Sequence, residues 1–396
     1  GKAMSSTLKA LNHLPSATEF YEYYWNKCPF IVKGALDDHV IDGLISADEL
    51  AGLSMEAEPR SRLVKTAGKY HDWACGFGPF DDNSFASVGD EDWCLLVQNV
   101  EQFHPDTASL LKYFNFAPRW LMDDVMVSYS AVGGSVGPHV DNYHVFLVQG
   151  LGKRRWTVSN APITDETYIE GLEIKVLDRQ IDGDEIEVTS GDVLYLPPNF
   201  AHEGVTLDPA VTFSIGFLGP KMSELFSAFA QYISEKEVLD TRYVGTGLSI
   251  DSAGFEIGND AVGQLQSRLR NYLNSKLFSQ WLVEFFTESS HQDLNGYILR
   301  EDEMDADTFD TALRSGSSLK KPEYVKFVIT TFESGGFCLG FDSHSFAMDE
   351  TVFPLIKTLM KEQPVNLSTY PNMLYQLDIH KLVLELYNHH ALEFSS

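Results

Sequence analysis

Residues 137–159 read GPHVDNYHVFLVQGLGKRRWTVS. The apolar run Val145–Val148 has the texture of a buried strand, and Gly150–Gly152 reads as a turn that returns the chain as a second strand, RRWTVS. His139 and Asp141 stand two residues apart. On an extended chain, residues i and i+2 share one face, so both side chains point inward and Val140 points away. An imidazole and a carboxylate on one face supply two ligands of a 2-His-1-carboxylate set, which leaves positions open on a non-haem Fe(II) for a cosubstrate and O2.

The third ligand is expected on a later strand. Residues 191–206, GDVLYLPPNFAHEGVT, supply it as His202. Gly191-Asp192 opens a strand, Pro197-Pro198 ends it, and His202 opens the next. A lone His-x-Asp is common by chance; the same pair followed by this turn and a histidine, inside a strand-rich block, is specific. The competing reading of His139 and His202 is ordinary core histidines with satisfied hydrogen bonds. His144, three residues beyond Asp141, falls on the opposite face and reads as structural or as a rim residue. His71, His104, His389 and His390 lie outside the block and read as surface or core residues.

An iron with open positions takes a bidentate donor, and 2-oxoglutarate chelates it while leaving a distal carboxylate to be gripped. A guanidinium does this with two parallel hydrogen bonds. Lys153, Arg154 and Arg155 offer candidates, with a solvated basic edge as the plain alternative. Alternation turns inward either Arg154 with Trp156 or Arg155 with Thr157, and the residues alone leave both open. Ser128 and Ser130 share one face of the strand entering the motif and could offer hydroxyls to the cosubstrate; Ser214, beyond His202, is a further candidate.

From Asp124 to Phe217 short segments rich in Val, Ile, Tyr and Phe alternate with Gly, Pro, Asn and Asp, which predicts a jelly-roll of the cupin type. Before it, helix and strand signals mix: a helix over 18–25, a strand over 29–32, and a helix opened by a Ser46/Glu49 capping box. After Gly219-Pro220 the pattern turns helical, with apolar residues at Val262, Leu265, Leu269, Tyr272 and Leu273 on one face. Such a face packs on a partner chain or on the chain's own barrel. From about residue 295 short helix and strand signals return in the manner of a winged helix. The expected division is a catalytic domain over 1–220, with its core at about 120–220, a helical dimerisation domain over 221–291 and a winged-helix-like domain over 292–396. Residues 292–396 hold 8 Lys and Arg against 16 Asp and Glu, so a structural or protein-binding module is expected there and no direct DNA binding.

Across 396 residues, 57 acidic side chains outnumber 29 basic ones for a net charge of −28. That field repels nucleic acid and anionic membranes and attracts a basic partner. With 44% hydrophobic residues the chain can bury sizeable cores. It contains no apolar run near the ~20 residues that cross a bilayer and no apolar signal core, so a cytoplasmic location and no membrane association are expected. Cys28, Cys75, Cys94 and Cys338 are scattered, which favours reduced thiols over a disulfide framework.

SYSAVGGSVGPHVDNYHVFLVQGLGKRRW (128–156) with GDVLYLPPNFAHEG (191–204), and upstream DELAGLSMEAEPRSRLV, GPF and WCLLVQNV, resemble the JmjC-type ribosomal oxygenases, in particular their bacterial arginine-hydroxylase branch. The resemblance covers residues 20–290 well and the last hundred loosely. It implies a jelly-roll catalytic domain, a homodimer formed through the helical domain, a C-terminal winged helix, and Fe(II), 2-oxoglutarate and O2. It places the metal ligands on His139, Asp141 and His202, the 2-oxoglutarate arginine on Arg154, and a cosubstrate serine on Ser128, with Ser130 nearby. The implied substrate is a basic ribosomal protein, number sixteen of the large subunit, hydroxylated at an arginine β-carbon. Asp123 and Asp124 are candidate acids for that side chain. The rival expectations are the same chemistry on a histidyl residue, demethylation of methyl-lysine, and a non-catalytic cupin-type binding module.

Overall fold

Ten strands of the N-terminal half hydrogen-bond into one sheet. They are β1 (Lys9–Leu11), β2 (Phe30–Val32), β3 (Ser61–Lys65), β4 (Ala74–Phe77), β5 (Trp93–Val97), β6 (Met122–Ser130), β7 (His144–Ser159), β8 (Gly183–Val188), β9 (Val193–Leu196) and β10 (His202–Phe217). The path runs β1-β2-β9-β7-β10-β6-β5-β3-β4, with β8 beside the far half of β7. Every pairing is antiparallel except β1 with β2. The computed structural model describes residues 8–68, 72–248, 254–288, 299–369 and 377–395; His71 lies outside them. The described chain falls into two compact units, 1–219 and 220–396.

The pleat sorts the central strands. Val125 and Val127 of β6 and Phe146 and Val148 of β7 enter a core built on Phe20, Phe30, Phe114, Tyr195 and Phe217. Each fully buried ring there contributes on the order of 1.5–3 kcal/mol. Met126 and Ser128 of β6, and Val145 and Leu147 of β7, face the other way and line a cavity. The capping box forms as expected: Glu49 N–H donates to Ser46 Oγ at 3.2 Å, and Ser46 N–H donates to Glu49 Oε1 at 3.1 Å, opening the helix Ala47–Ser54. The helix expected over 18–25 is a short α-turn, Ala17–Glu19, running into a π-turn, Phe20–Tyr24.

One expectation is corrected. Residues 144–159 do not fold back at Gly150–Gly152 as a hairpin; they form the single 16-residue strand β7. Its partner β10 is equally long and follows it throughout, from Phe217 beside His144 to His202 beside Val158. The glycines absorb a bulge instead of a reversal. Gly152 has φ of +71°, and a Cβ there would lie 2.0 Å from the Pro209 carbonyl oxygen, which only glycine permits.

The second unit begins with the helices Met222–Ser234, Asn259–Leu273 and Lys276–Phe286. Strands β11 (Ser318–Lys320), β12 (Phe327–Thr331), β13 (Phe337–Phe341), β14 (His344–Met348) and β15 (Glu393–Ser395) follow, with helices Ala306–Arg314, Phe353–Met360 and Leu377–Asn388. β12, β13 and β14 make a meander, and β11 pairs with β15. Helix Lys276–Phe286 packs on the meander with Val283 against Val328 and Cys338. Gly340 makes room for it, since a Cβ there would lie 2.3 Å from the Val283 carbonyl oxygen.

Candidate metal centre

His139 sits just before β7 and His202 starts β10, and the two are joined as an isolated antiparallel bridge. Each donates its backbone N–H to the other's carbonyl at 3.0 Å. The pair is therefore positioned by main chain, and 62 residues of intervening sequence do not loosen it. Asp141 follows in an extended turn rather than a regular strand; its carbonyl accepts from Asn199 N–H at 2.9 Å. Val140 packs away, against Leu177 and Ala201.

The side chains converge. Asp141 Oδ2 lies 3.6 Å from His139 Nε2 and 3.3 Å from His202 Nε2. Each residue offers one ligand atom within 4.8 Å of the others. The tautomers follow from the remaining nitrogens. His139 Nδ1 is 3.0 Å from the Gly137 carbonyl and His202 Nδ1 is 2.9 Å from the Phe200 carbonyl. A carbonyl only accepts, so each Nδ1 carries the hydrogen, and in the neutral ring each Nε2 turns a lone pair toward Asp141. Two imidazole nitrogens and one carboxylate suit a divalent transition metal with positions to spare. Burial alone would lift the Asp141 carboxyl, but His139 and His202 outweigh it and hold the group well below the usual carboxylate range. Burial lowers the His139 imidazole, yet Asp141 and the Gly137 carbonyl raise it on balance.

His139, Asp141 and His202 line a cavity of about 300 Å3 whose other walls include Arg154, Trp156, Ser128, Ser214, Tyr143 and Arg62. Arg154 is 5% exposed. One terminal nitrogen donates to the Gly204 carbonyl at 2.9 Å, and the guanidinium lies 4.6 Å from the centre of the Trp156 ring. Among the described residues its Nε–H has no acceptor and no carboxylate lies within ion-pair distance of it. Burial depresses its pKa from the ordinary guanidinium value. A buried cation without an anion costs several kcal/mol, so the residues present fit a cosubstrate that brings a carboxylate. Arg155 points to the other face, where its charge is felt by Glu203, and Lys153 pairs with Glu187 at 3.5 Å.

The expected serines separate. Ser128 and Ser214 line the cavity. Ser130 does not: its hydroxyl accepts from Thr206 Oγ1 at 2.5 Å and contacts Cys94 Sγ at 3.2 Å. The sequence reading missed Arg62, Met126 and Tyr143 as wall residues, whereas Trp156 lies inward with Arg154, one of the two alternatives that alternation offered. Met126 was within reach, sharing the parity of Ser128; Arg62 arrives from β3, with no local signal.

His144 is structural. Its ring stacks on Trp25 at 3.5 Å between centres, and Nδ1 accepts from the Tyr195 hydroxyl at 2.9 Å, which itself accepts from Asn26 N–H. Burial lowers its pKa from 6.5 to about 4. The unfolded chain then takes up a proton that the folded chain refuses, so stability is lost as pH falls from about 6.5 toward 4, by about 2 kcal/mol once partial exposure is allowed for. Urea midpoints at pH 7 and 4.5 measure this, with His144→Phe as the comparison; an equal acid loss in both proteins would assign it to another group. His104 caps helix Pro105–Ala108 and meets Glu49 at 3.2 Å, and His389 is bonded to the Glu385 carbonyl at 2.8 Å. All four cysteines are free.

Residues 109–225 match the family described as JmjC domain. The ribosomal protein uL16 3-hydroxylase of Escherichia coli (strain K12) is 36% identical over 283 residues, 69% of this chain and 72% of that protein. The X-ray structure of E. coli ycfD superposes with a TM-score of 0.82 at 29% identity, covering 96% of this chain and 98% of that one. The structure of YcfD, a ribosomal oxygenase from Escherichia coli, in complex with cobalt and 2-oxoglutarate gives a TM-score of 0.79 at 28% identity, with 96% and 98% coverage. On this evidence the chain belongs to the JmjC-domain ribosomal oxygenases, the family of the uL16 3-hydroxylase.

Proposed function

We propose that the chain is a 2-oxoglutarate-dependent hydroxylase of ribosomal protein uL16, acting at the β-carbon of an arginine. The observation that carries this is one cavity holding the convergent His139, Asp141 and His202 together with the buried, anion-free Arg154, in a family whose relatives include a uL16 3-hydroxylase and a structure with cobalt and 2-oxoglutarate.

His139 and His202 present Nε2, and Asp141 a carboxylate oxygen, to Fe(II). Arg154 takes the distal carboxylate of 2-oxoglutarate, with Ser128 and Ser214 available as hydroxyl partners. Bound Fe(II), 2-oxoglutarate and O2 supply an oxidant that places one oxygen atom in a C–H bond, with succinate and CO2 as the other products. The chain's own work is to hold the ligands rigid, to neutralise the cosubstrate's charge and to aim the target side chain. Asp124 suits the guanidinium of that target. It and Tyr143 border the space left by the missing side chain of Gly216. Burial, then Asp123, lifts its carboxyl only to about 6, so it keeps its charge at neutral pH.

We assign the helices Met222–Ser234 and Asn259–Leu273 to a homodimer interface, because Met222, Phe226 and Leu269 each leave more than three-fifths of their surface exposed; light scattering that returned a monomer mass would overturn this. Residues 292–396 we read as a winged-helix-like module that binds protein and not DNA, on its excess of acid. No helix among the described residues is long and apolar enough to cross a membrane.

The test is direct. Purified protein with Fe(II), 2-oxoglutarate, O2 and uL16 should add one oxygen to a single arginine, located by fragmentation mass spectrometry. Oxidation of a histidyl residue instead, or 2-oxoglutarate turnover that uL16 does not stimulate, would sink the arginine reading.

A further inference from the structure

The cavity lined by His139, Asp141 and His202 is not closed on all sides. Beyond Glu173 and Ile174, which line it, a second hollow of about 300 Å3 opens between Trp73, Ala74 and Cys75 on one side and residues 171–174 on the other. Ala74 and Cys75 of the first wall belong to β4, the last strand of the sheet, and Trp73 immediately precedes it.

Hydrogen-bond parity identifies what this edge presents. In an antiparallel pair, opposed residues alternate between exchanging both backbone bonds and exchanging none. Gly78 N–H donates to the Ser61 carbonyl at 2.9 Å, one step beyond the Arg62–Phe77 pair. The bonded pairs are therefore Leu63–Gly76 and Lys65–Ala74. The other side of β3 agrees: Gln98 N–H donates to the Arg60 carbonyl, which commits residues 62 and 64 to β5. The N–H and C=O of Cys75 and Phe77 thus point out of the sheet, and among the described residues neither has a backbone partner there.

Protein edges are commonly blunted by lysine, proline or a bulge. The opposite edge, β1, is three residues long and starts at Lys9. β4 reads Ala-Cys-Gly-Phe, carries no charge, and leaves Phe77 65% exposed. This edge is built to be paired.

We propose that β4 is the docking edge for the protein substrate. An extended segment flanking the target residue adds as a further strand, bonded through the backbone of Cys75 and Phe77, and runs between β4 and residues 171–174 toward the metal cavity. The inference rests on the hydroxylase reading above and adds to it how the polypeptide is held. Main-chain bonds fix register whatever the flanking sequence, while pockets read alternate side chains. The Glu173 carboxylate at the junction of the two hollows, and the chain's net charge of −28, favour a basic segment. Cys75 shares the cavity-facing cluster with Val64, Cys94 and Leu96, so every second side chain of an added strand would turn to that same face.

A scan of backbone N-methylation along a uL16 peptide tests this. Losses in kcat/KM of about ten-fold should recur at every second residue of the flanking segment, with the residues between tolerated. Cys75→Pro removes the outward N–H while sparing the bonds to β3; it should raise KM for the peptide about ten-fold and leave the KM for 2-oxoglutarate unchanged. Absence of turnover with the unmethylated peptide sinks the hydroxylase reading and the docking edge together. Turnover with no period-two pattern, or a folded Cys75→Pro with unaltered peptide KM, removes the docking edge alone.

Discussion

Arg154→Leu is expected to lose at least about a hundred-fold in kcat/KM for 2-oxoglutarate and yet to unfold at a higher temperature than the wild type. The activity loss follows from removing one partner of a buried charge pair, an effect of roughly 2–5 kcal/mol. The stability gain follows from the same burial. Without cosubstrate the guanidinium is enclosed and, among the described residues, its Nε–H is unmatched and the Gly204 carbonyl and the Trp156 ring are its compensations. A cation–π contact returns about 0.5–2 kcal/mol, less than the several kcal/mol an unpaired buried charge costs. A well-packed leucine should therefore stabilise by about 1–3 kcal/mol. Thermal unfolding separates the two effects: 2-oxoglutarate added to protein already holding a divalent metal should raise the wild-type midpoint further and leave that of the variant where the metal alone had set it. A variant with unchanged KM for 2-oxoglutarate would remove Arg154 from the site.

Asp141→Asn should abolish hydroxylation and weaken Co(II) binding by at least about a hundred-fold, since an amide oxygen replaces the one charged ligand while the shape is kept. Titration calorimetry reads this without any turnover. The wild-type affinity should itself fall as the solution is acidified, because a metal must displace the proton that Asp141 helps His139 to retain. A pH-independent affinity, or a variant that binds Co(II) as the wild type does, would place the metal elsewhere.

The convergence of His139, Asp141 and His202 was legible because two local rules sufficed: a His-x-Asp in extended chain, and a histidine after a Gly-Asp turn and a Pro-Pro stop. The choice between Arg154 and Arg155 was not. Counting by twos from Val145 and Leu147, which line the cavity, turns Arg155 inward. At Gly150 the strand carries one residue extra against Val211 and Thr212, β10 is irregular in turn between Thr206 and Val211, and beyond this stretch Arg154 and Trp156 face the cavity instead. A glycine pair in sequence reads equally well as a turn or as a bulge, and only the partner strand decides between them. That ambiguity also produced the hairpin that does not exist. Ser130 failed for a related reason. It shares a face with Ser128, but that face extends past the cavity, and Thr206 with Cys94 closes over the hydroxyl. Arg62 comes from a strand whose place in the sheet no local pattern reveals.

The paired backbone of His139 and His202 has a consequence for how the centre is loaded. Each imidazole is held by a carbonyl two residues upstream, Gly137 for one and Phe200 for the other, and the two residues are tied to each other by reciprocal amide bonds. None of these restraints involves the ion. The centre is a socket rather than a clasp: its shape is set by the chain itself, and an incoming ion has to displace water and, in acid, the proton on His139. Exchange of one metal for another should then proceed without slowing from any refolding step, and an enzyme stripped of metal should recover as fast as ions can diffuse into the cavity.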